Sequence, residues 1–157
     1  MVDYVAAREA ESVPWVPGVL DVLKSLTDAG IPSILVSNSP RCLVENIVNH
    51  APEGAFAGYV CGDDGFKPKP SAEPYLAAGK MVGIEGTDEE VAKQMANCIA
   101  IEDSLSGLTA AINSGATVIA QTGFSRANIS ESKHHAELNG YENVTAKMLE
   151  NIVLSRN

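Results

Sequence analysis

The chain has 157 residues, 45% of them apolar, which suits one domain with one core. Its formal net charge is −9. That argues against broad nucleic-acid binding, which needs clustered Lys and Arg, and against a polybasic membrane patch. The first eighteen residues hold no apolar signal-peptide core, and no apolar run approaches the ~20 residues needed to cross a bilayer. Cys42, Cys61 and Cys98 are widely spaced and form no Cys-x-x-Cys pair, so zinc and dithiol chemistry are unsupported. Buried free thiols in a reducing, cytoplasmic compartment are expected instead.

Residues 17–30 are predicted to form a helix, with Pro17 in its first turn and Val19, Leu20, Leu23 and Leu26 on one face. A short strand follows to Val36, and Ser37-Asn38-Ser39-Pro40 breaks it. Leu43, Val44, Ile47 and Val48 predict a packed helix over residues 40–50. Residues 56–61 predict a second strand, closed by Gly62-Asp63-Asp64-Gly65. Residues 71–81 predict a helix with Tyr75 and Leu76 inward, and Thr87-Asp88-Glu89-Glu90 predict an N-cap with an acidic first turn. Strands over 98–101 and 117–120 flank a helix with Leu105, Leu108 and Ile112 on its inner face. Residues 121–140 are polar and irregular, and a final helix covers 145–154. Such alternation predicts an α/β fold with a Rossmann-like parallel sheet, whose ligands bind beyond the carboxyl ends of the strands.

Three motifs fall at those strand ends. Ser37-Asn38 pair a hydroxyl with backbone N–H groups, which can hold phosphate oxygens or simply make a turn. Lys67, in Gly65-Phe66-Lys67-Pro68-Lys69-Pro70, can be held rigidly and offset phosphate charge; Lys69 is the rival and is expected to face water. Glu102-Asp103 repel each other at a buried strand end unless a cation is near, and Mg²⁺ suits them; the alternative is that Asp103 or Ser104 only caps the next helix. Asp63-Asp64 read as turn chemistry, His134-His135 as a solvated pair, and Tyr4 and Trp15 as packing for the N-terminal segment. No G-x-G-x-x-G and no P-loop motif occurs.

The segments PGVLDVLKSLTDAGIPSILVSNS, FKPKPSAEPYLAAGKMVGI and CIAIEDSLSGLTAAINSGATVIA together resemble the haloacid-dehalogenase-like (HAD) hydrolase superfamily. The resemblance covers residues 16–120 and looks closest to the β-phosphoglucomutase-like and phosphoglycolate-phosphatase-like branch. It implies a phosphatase- or phosphomutase-type hydrolase acting on a small phosphorylated metabolite with Mg²⁺. It further implies that Ser37 and Asn38 bind phosphate, that Lys67 bridges to it as the catalytic lysine, and that Glu102 and Asp103 bind the metal. The family reaction passes through an aspartyl-phosphate.

The chain departs from the family chiefly at the nucleophile; the loop over residues 67–74 and the connection over residues 85–97 are also longer than the family's. No Asp-x-Asp pair occurs in it, and Asp3 is followed at position 5 by Val5. The resemblance therefore implies an N-terminally truncated core: residues 1–16 as a remnant of a helical cap, and residues 17–157 as a core lacking its first, central strand. Such a chain is expected to be inactive alone. The rival readings are a non-catalytic binding or assembly module on the same fold, or one half of a split phosphatase. The open slot is expected to be closed by direct pairing of its flanking strands, by residues 1–7, by a homo-oligomer or by a complementing chain.

Overall fold

The computed structural model describes Trp15, residues 17–123 and residues 129–156. The expectations for Asp3, Tyr4 and the cap remnant fall on residues outside the described set; Trp15 packs against one of the cores.

The order of elements is α1 (Val19–Asp28), β1 (Ile34–Val36), α2 (Arg41–His50), β2 (Gly58–Val60), α3 (Glu73–Met81), α4 (Asp88–Met95), β3 (Ile99–Glu102), α5 (Leu105–Ser114), β4 (Thr117–Gln121), β5 (Ala136–Leu138) and α6 (Ala146–Arg156). The local chemistry explains several boundaries. At α4, the Thr87 hydroxyl accepts the Glu90 N–H at 3.2 Å while the Glu90 carboxylate accepts the Thr87 N–H at 3.3 Å. This reciprocal cap satisfies two orphan donors of the first turn. At α5, Ser104 Oγ accepts the Gly107 N–H at 3.1 Å. Helix α6 is tied to α1, because Ser25 Oγ accepts the Ala146 N–H at 2.9 Å.

β1 and β2 pair in parallel, with Ile34 opposite Gly58 and Val36 opposite Val60. β3, β4 and β5 form a second parallel ladder, with Glu102 opposite Ala120 and Gln121 opposite Leu138. The expected parallel α/β architecture is therefore present. Side chains alternate along each strand, as the pleat requires. Leu35, Ile101 and Ile119 join Val22 and Leu26 of α1, Val44 and Ile47 of α2, and Leu149 of α6 in one core. Ile34, Val36, Ala100, Val118 and Ala120 face the other way, into a second core with Tyr75 and Ala78 of α3, Met95 of α4 and Leu108 of α5. Each fully buried Val, Leu, Ile or Met side chain in these two layers contributes roughly 1.5–3 kcal/mol.

Four expectations change. Residues 121–140 are not wholly irregular, since β5 lies within them. His135 explains it: its N–H donates to Val118 O at 2.8 Å, and its ring Nδ1 accepts the Val118 N–H at 2.9 Å, which docks the segment on β4. Of the histidine pair, His135 is exposed as expected, although its ring bonds to the backbone, whereas the His134 side chain is 14% exposed and sits 3.3 Å from Glu137. Cys42 is exposed on α2, whereas Cys61 is buried and Cys98 partly so. Direct pairing of β1 with β3, one expected closure of the slot, is not among the ladders of the described residues. An apolar cavity of about 260 Å³ instead reaches Ile34 on one side and Ile99 and Ile101 on the other.

Candidate functional site

The carboxyl ends of β1 and β3 meet at one lysine, and it is Lys69. Its Nζ donates to Val36 O, at the end of β1, at 3.2 Å, and to Glu102 Oε1, at the end of β3, at 2.5 Å. The side chains of Lys69 and Glu102 are 6% and 1% exposed. The expectation that Lys69 faces water is overturned, while Lys67 is exposed. The reason lies in the loop. Lys69 has proline on both sides, which restricts its backbone, and its N–H donates to Asn38 Oδ1 at 3.3 Å. From that anchor its stem crosses the ring of Tyr75, with Nζ 5.5 Å from the ring centroid.

The other parts of the site are positioned by short-range chemistry. Ser37 is buried, its N–H donates to Val60 O at 3.0 Å, and its Oγ accepts the Ser39 N–H at 3.0 Å. The turn it opens is clamped by Gly62, whose N–H donates to Ser39 O at 2.8 Å. A Cβ at Gly62 would overlap the Asn38 carbonyl, so only glycine permits this approach. Asp63 and Asp64 act as turn residues, as expected. Asp63 Oδ2 accepts the Arg41 N–H at 2.9 Å, Asp64 Oδ2 accepts the Cys61 N–H at 2.9 Å, and Asp64 Oδ1 pairs with the Arg41 guanidinium.

Glu102 is buried at the end of β3, and Asp103 follows it, half-buried, before the Ser104 cap of α5. Tyr75, fully buried on the first turn of α3, donates its hydroxyl to Glu102 Oε1. Gly107 closes the opposite side, because a Cβ there would overlap the Glu102 carboxylate. The structure thus brings Ser37, Asn38, Glu102 and Asp103 to one edge with Lys69, and leaves Lys67 on the outer loop.

Helices α2 and α5 both begin within a few residues of these strand ends; the first N–H of α2, on Arg41, is taken by Asp63, and the Gly107 N–H of α5 by Ser104. Cys61, which follows β2, is no rival nucleophile at neutral pH: burial first, then the Asp64 carboxylate, push its thiol up to about 11. Glu102 and Asp103 supply hard carboxylate oxygens, the donor type Mg²⁺ takes, and one or two carboxylates are its usual protein share. The donor set fits that ion. Among the described residues no group of three or more His, Cys, Asp or Glu gathers to hold a metal by protein ligands alone.

Sequence reasoning weighed Lys69 only as the rival to Lys67, facing water, and placed Tyr75 inward without a partner for its hydroxyl. Two signals were available. Lys69 is the lysine enclosed by prolines, and a tyrosine in an otherwise apolar helix face needs a buried partner for its hydroxyl.

A parallel α/β sheet that gathers a Ser-Asn turn, an inward lysine and a Glu-Asp pair at its strand ends belongs to the open α/β class whose ligands bind beyond the carboxyl ends of the strands, and it carries neither a dinucleotide nor a P-loop motif. Comparison with known proteins narrows the class: residues 2–115 match the haloacid dehalogenase-like hydrolase family, and the chain belongs to it. It is 31% identical over 117 residues to the bifunctional riboflavin kinase/FMN phosphatase of Arabidopsis thaliana, covering 73% of this chain and 28% of that protein. It is 24% identical over 118 residues to hexitol phosphatase A of Escherichia coli (strain K12), covering 75% of this chain and 50% of that protein. The chain therefore spans half or less of the length of the curated relatives it matches. Its fold is similar to the crystal structure of a family IA, variant 3 HAD hydrolase from Entamoeba histolytica HM-1:IMSS, with a TM-score of 0.71 and 22% identity over 88% of this chain and 60% of that one. No helix among the described residues is long and apolar enough to cross a membrane.

Proposed function

We propose that this chain carries the phosphate- and Mg²⁺-binding half of a phosphatase-type site for a small phosphorylated metabolite. The role first given to Lys67 belongs to Lys69. One observation supports this above the others: a single buried ammonium reaches the ends of both β1 and β3, beside the Ser37-Asn38 turn and the Glu102-Asp103 pair. The Ser37 hydroxyl, whose oxygen accepts the Ser39 N–H, donates to a phosphate oxygen. The Asn38 backbone adds a donor; the first N–H of α2, on Arg41, is already taken by Asp63. Lys69 offsets the phosphate charge from below.

Glu102 and Asp103 would hold Mg²⁺ through their carboxylate oxygens. Bound there, the ion would neutralise charge on the phosphoryl group. Enzymes of this family generally use Mg²⁺, and the two curated relatives named above carry phosphatase activity in their names. The 157 residues contain no Asp-x-Asp pair. We therefore read the chain by itself as binding without turnover, because Lys69 and Mg²⁺ would have no aspartyl-phosphate to form.

Titration calorimetry with Mg²⁺ and then inorganic phosphate tests the reading. Binding of Mg²⁺ should weaken on Asp103→Asn, and binding of phosphate should weaken on Lys69→Met but not on Lys67→Met. Release of phosphate from 4-nitrophenyl phosphate should match the blank. Mg²⁺-dependent turnover that Asp103→Asn abolishes would refute the binding-only reading. Equal loss of phosphate binding in the two lysine variants would refute the choice of Lys69.

A further inference from the structure

One aromatic side chain lies between the two charges. Tyr75 is completely buried, and a buried phenol needs an acceptor. Its acceptor is Glu102 Oε1, the same oxygen that takes the Lys69 ammonium. Its ring also carries that ammonium, at 5.5 Å from the centroid, within the range of a cation–π contact. One side chain therefore touches both members of a buried ion pair, by its edge on one and its face on the other.

The three residues differ in how firmly the backbone holds them. Lys69 comes from the long loop between the turn at Gly62–Asp64 and α3, Glu102 ends a strand, and Tyr75 sits on a helix packed into the core. A lysine stem has four rotatable bonds and a tyrosine two, so Tyr75 is the stiff member. Two donors on one oxygen also fix the plane of the carboxylate. Gly107, whose missing Cβ leaves room for that carboxylate, backs it from α5. Glu102 is thus held between Tyr75 and Gly107, with its orientation set before any ligand arrives.

We propose that Tyr75 is a positioning residue that locks Glu102 and Lys69 into the arrangement in which the pair receives Mg²⁺ and phosphate. The proposal rests on the reading of Glu102 and Asp103 as the metal pair. Its consequence is that the hydroxyl and the ring contribute separately. Tyr75→Phe keeps the ring under Lys69 and removes the hydroxyl from Glu102. Tyr75→Leu removes both.

The experiment uses the whole chain with Mg²⁺ alone as the probe. Calorimetry measures the affinity, and the ¹⁵N resonance of the Lys69 ammonium, assigned by its loss in Lys69→Arg, reports the ion pair directly. For Tyr75→Phe we expect cooperative unfolding, Mg²⁺ binding about tenfold weaker and a shifted Lys69 resonance, as for loss of an outer partner of a metal ligand. For Tyr75→Leu we expect a further loss and a Lys69 signal broadened by exchange with water. Wild-type Mg²⁺ affinity in Tyr75→Phe overturns the proposal, whether or not the Lys69 resonance moves. If the wild-type chain itself binds no Mg²⁺, the metal-pair reading falls separately, and the Lys69 resonance alone decides for or against Tyr75. Should Tyr75→Phe fail to fold, 3-fluorotyrosine at position 75 keeps the shape and strengthens the donor; an unmoved Lys69 resonance then overturns the proposal.

Discussion

Lys69→Met is the most direct probe of how the site is built. The substitution removes a charge that is 6% exposed and leaves a carboxylate that is 1% exposed without it. Removing one partner of a buried ion pair costs about 3–5 kcal/mol, chiefly from the stranded charge. Glu102 keeps its hydrogen bond from Tyr75, so the low end, about 3 kcal/mol, is expected. With a urea slope of about 2 kcal/mol/M, the unfolding midpoint should fall by roughly 1.5 M at pH 7. Lys67→Met, at an exposed loop position, should stay within about 0.5 kcal/mol of the parent. Lys69→Met combined with Glu102→Gln should recover much of the loss, because the amide still accepts the Tyr75 hydroxyl and no charge is stranded. Equal destabilisation by the two single lysine variants, or strict additivity in the double variant, would refute the buried-pair reasoning.

Two further outcomes follow from groups outside that pair. The His135 ring is native in its neutral form, since Nδ1 accepts the Val118 N–H, and partial desolvation where the ring meets β4, then Arg156, hold its pKa below the ordinary 6.5 although the residue is exposed overall. The unfolded chain then binds the proton first, so stability is full above about pH 6.5 and declines as pH falls through the folded value. Thermal melts between pH 5 and 8 should show this decline, and His135→Asn should flatten it; an identical profile in the variant would count against the assignment. Ellman's reagent at pH 8 should titrate one fast thiol, the exposed Cys42, because burial raises both Cys61, to about 11, and Cys98. A fast reaction that survives Cys42→Ser would contradict that order.

The family, the parallel architecture and the places of the strand ends were legible in the sequence, because they rest on local signals. Apolar runs, the Thr87 cap and the Ser37-Asn38 and Glu102-Asp103 strand-end motifs each act within a few residues. The short strand β5 was not legible: its three residues, Ala-Glu-Leu, carry little pattern, and what holds them is His135 against β4, seventeen positions away in sequence. The choice between Lys67 and Lys69 was likewise a tertiary decision. Both lie beside prolines in one loop and have the same chemistry. Only the fold shows that the Asn38 side chain anchors the backbone of one of them, that the Tyr75 ring lies along its path, and that Glu102 waits at its end. A buried charge is decided by what surrounds it in three dimensions, and the residues that surround Lys69 lie up to thirty-three positions from it on either side along the chain.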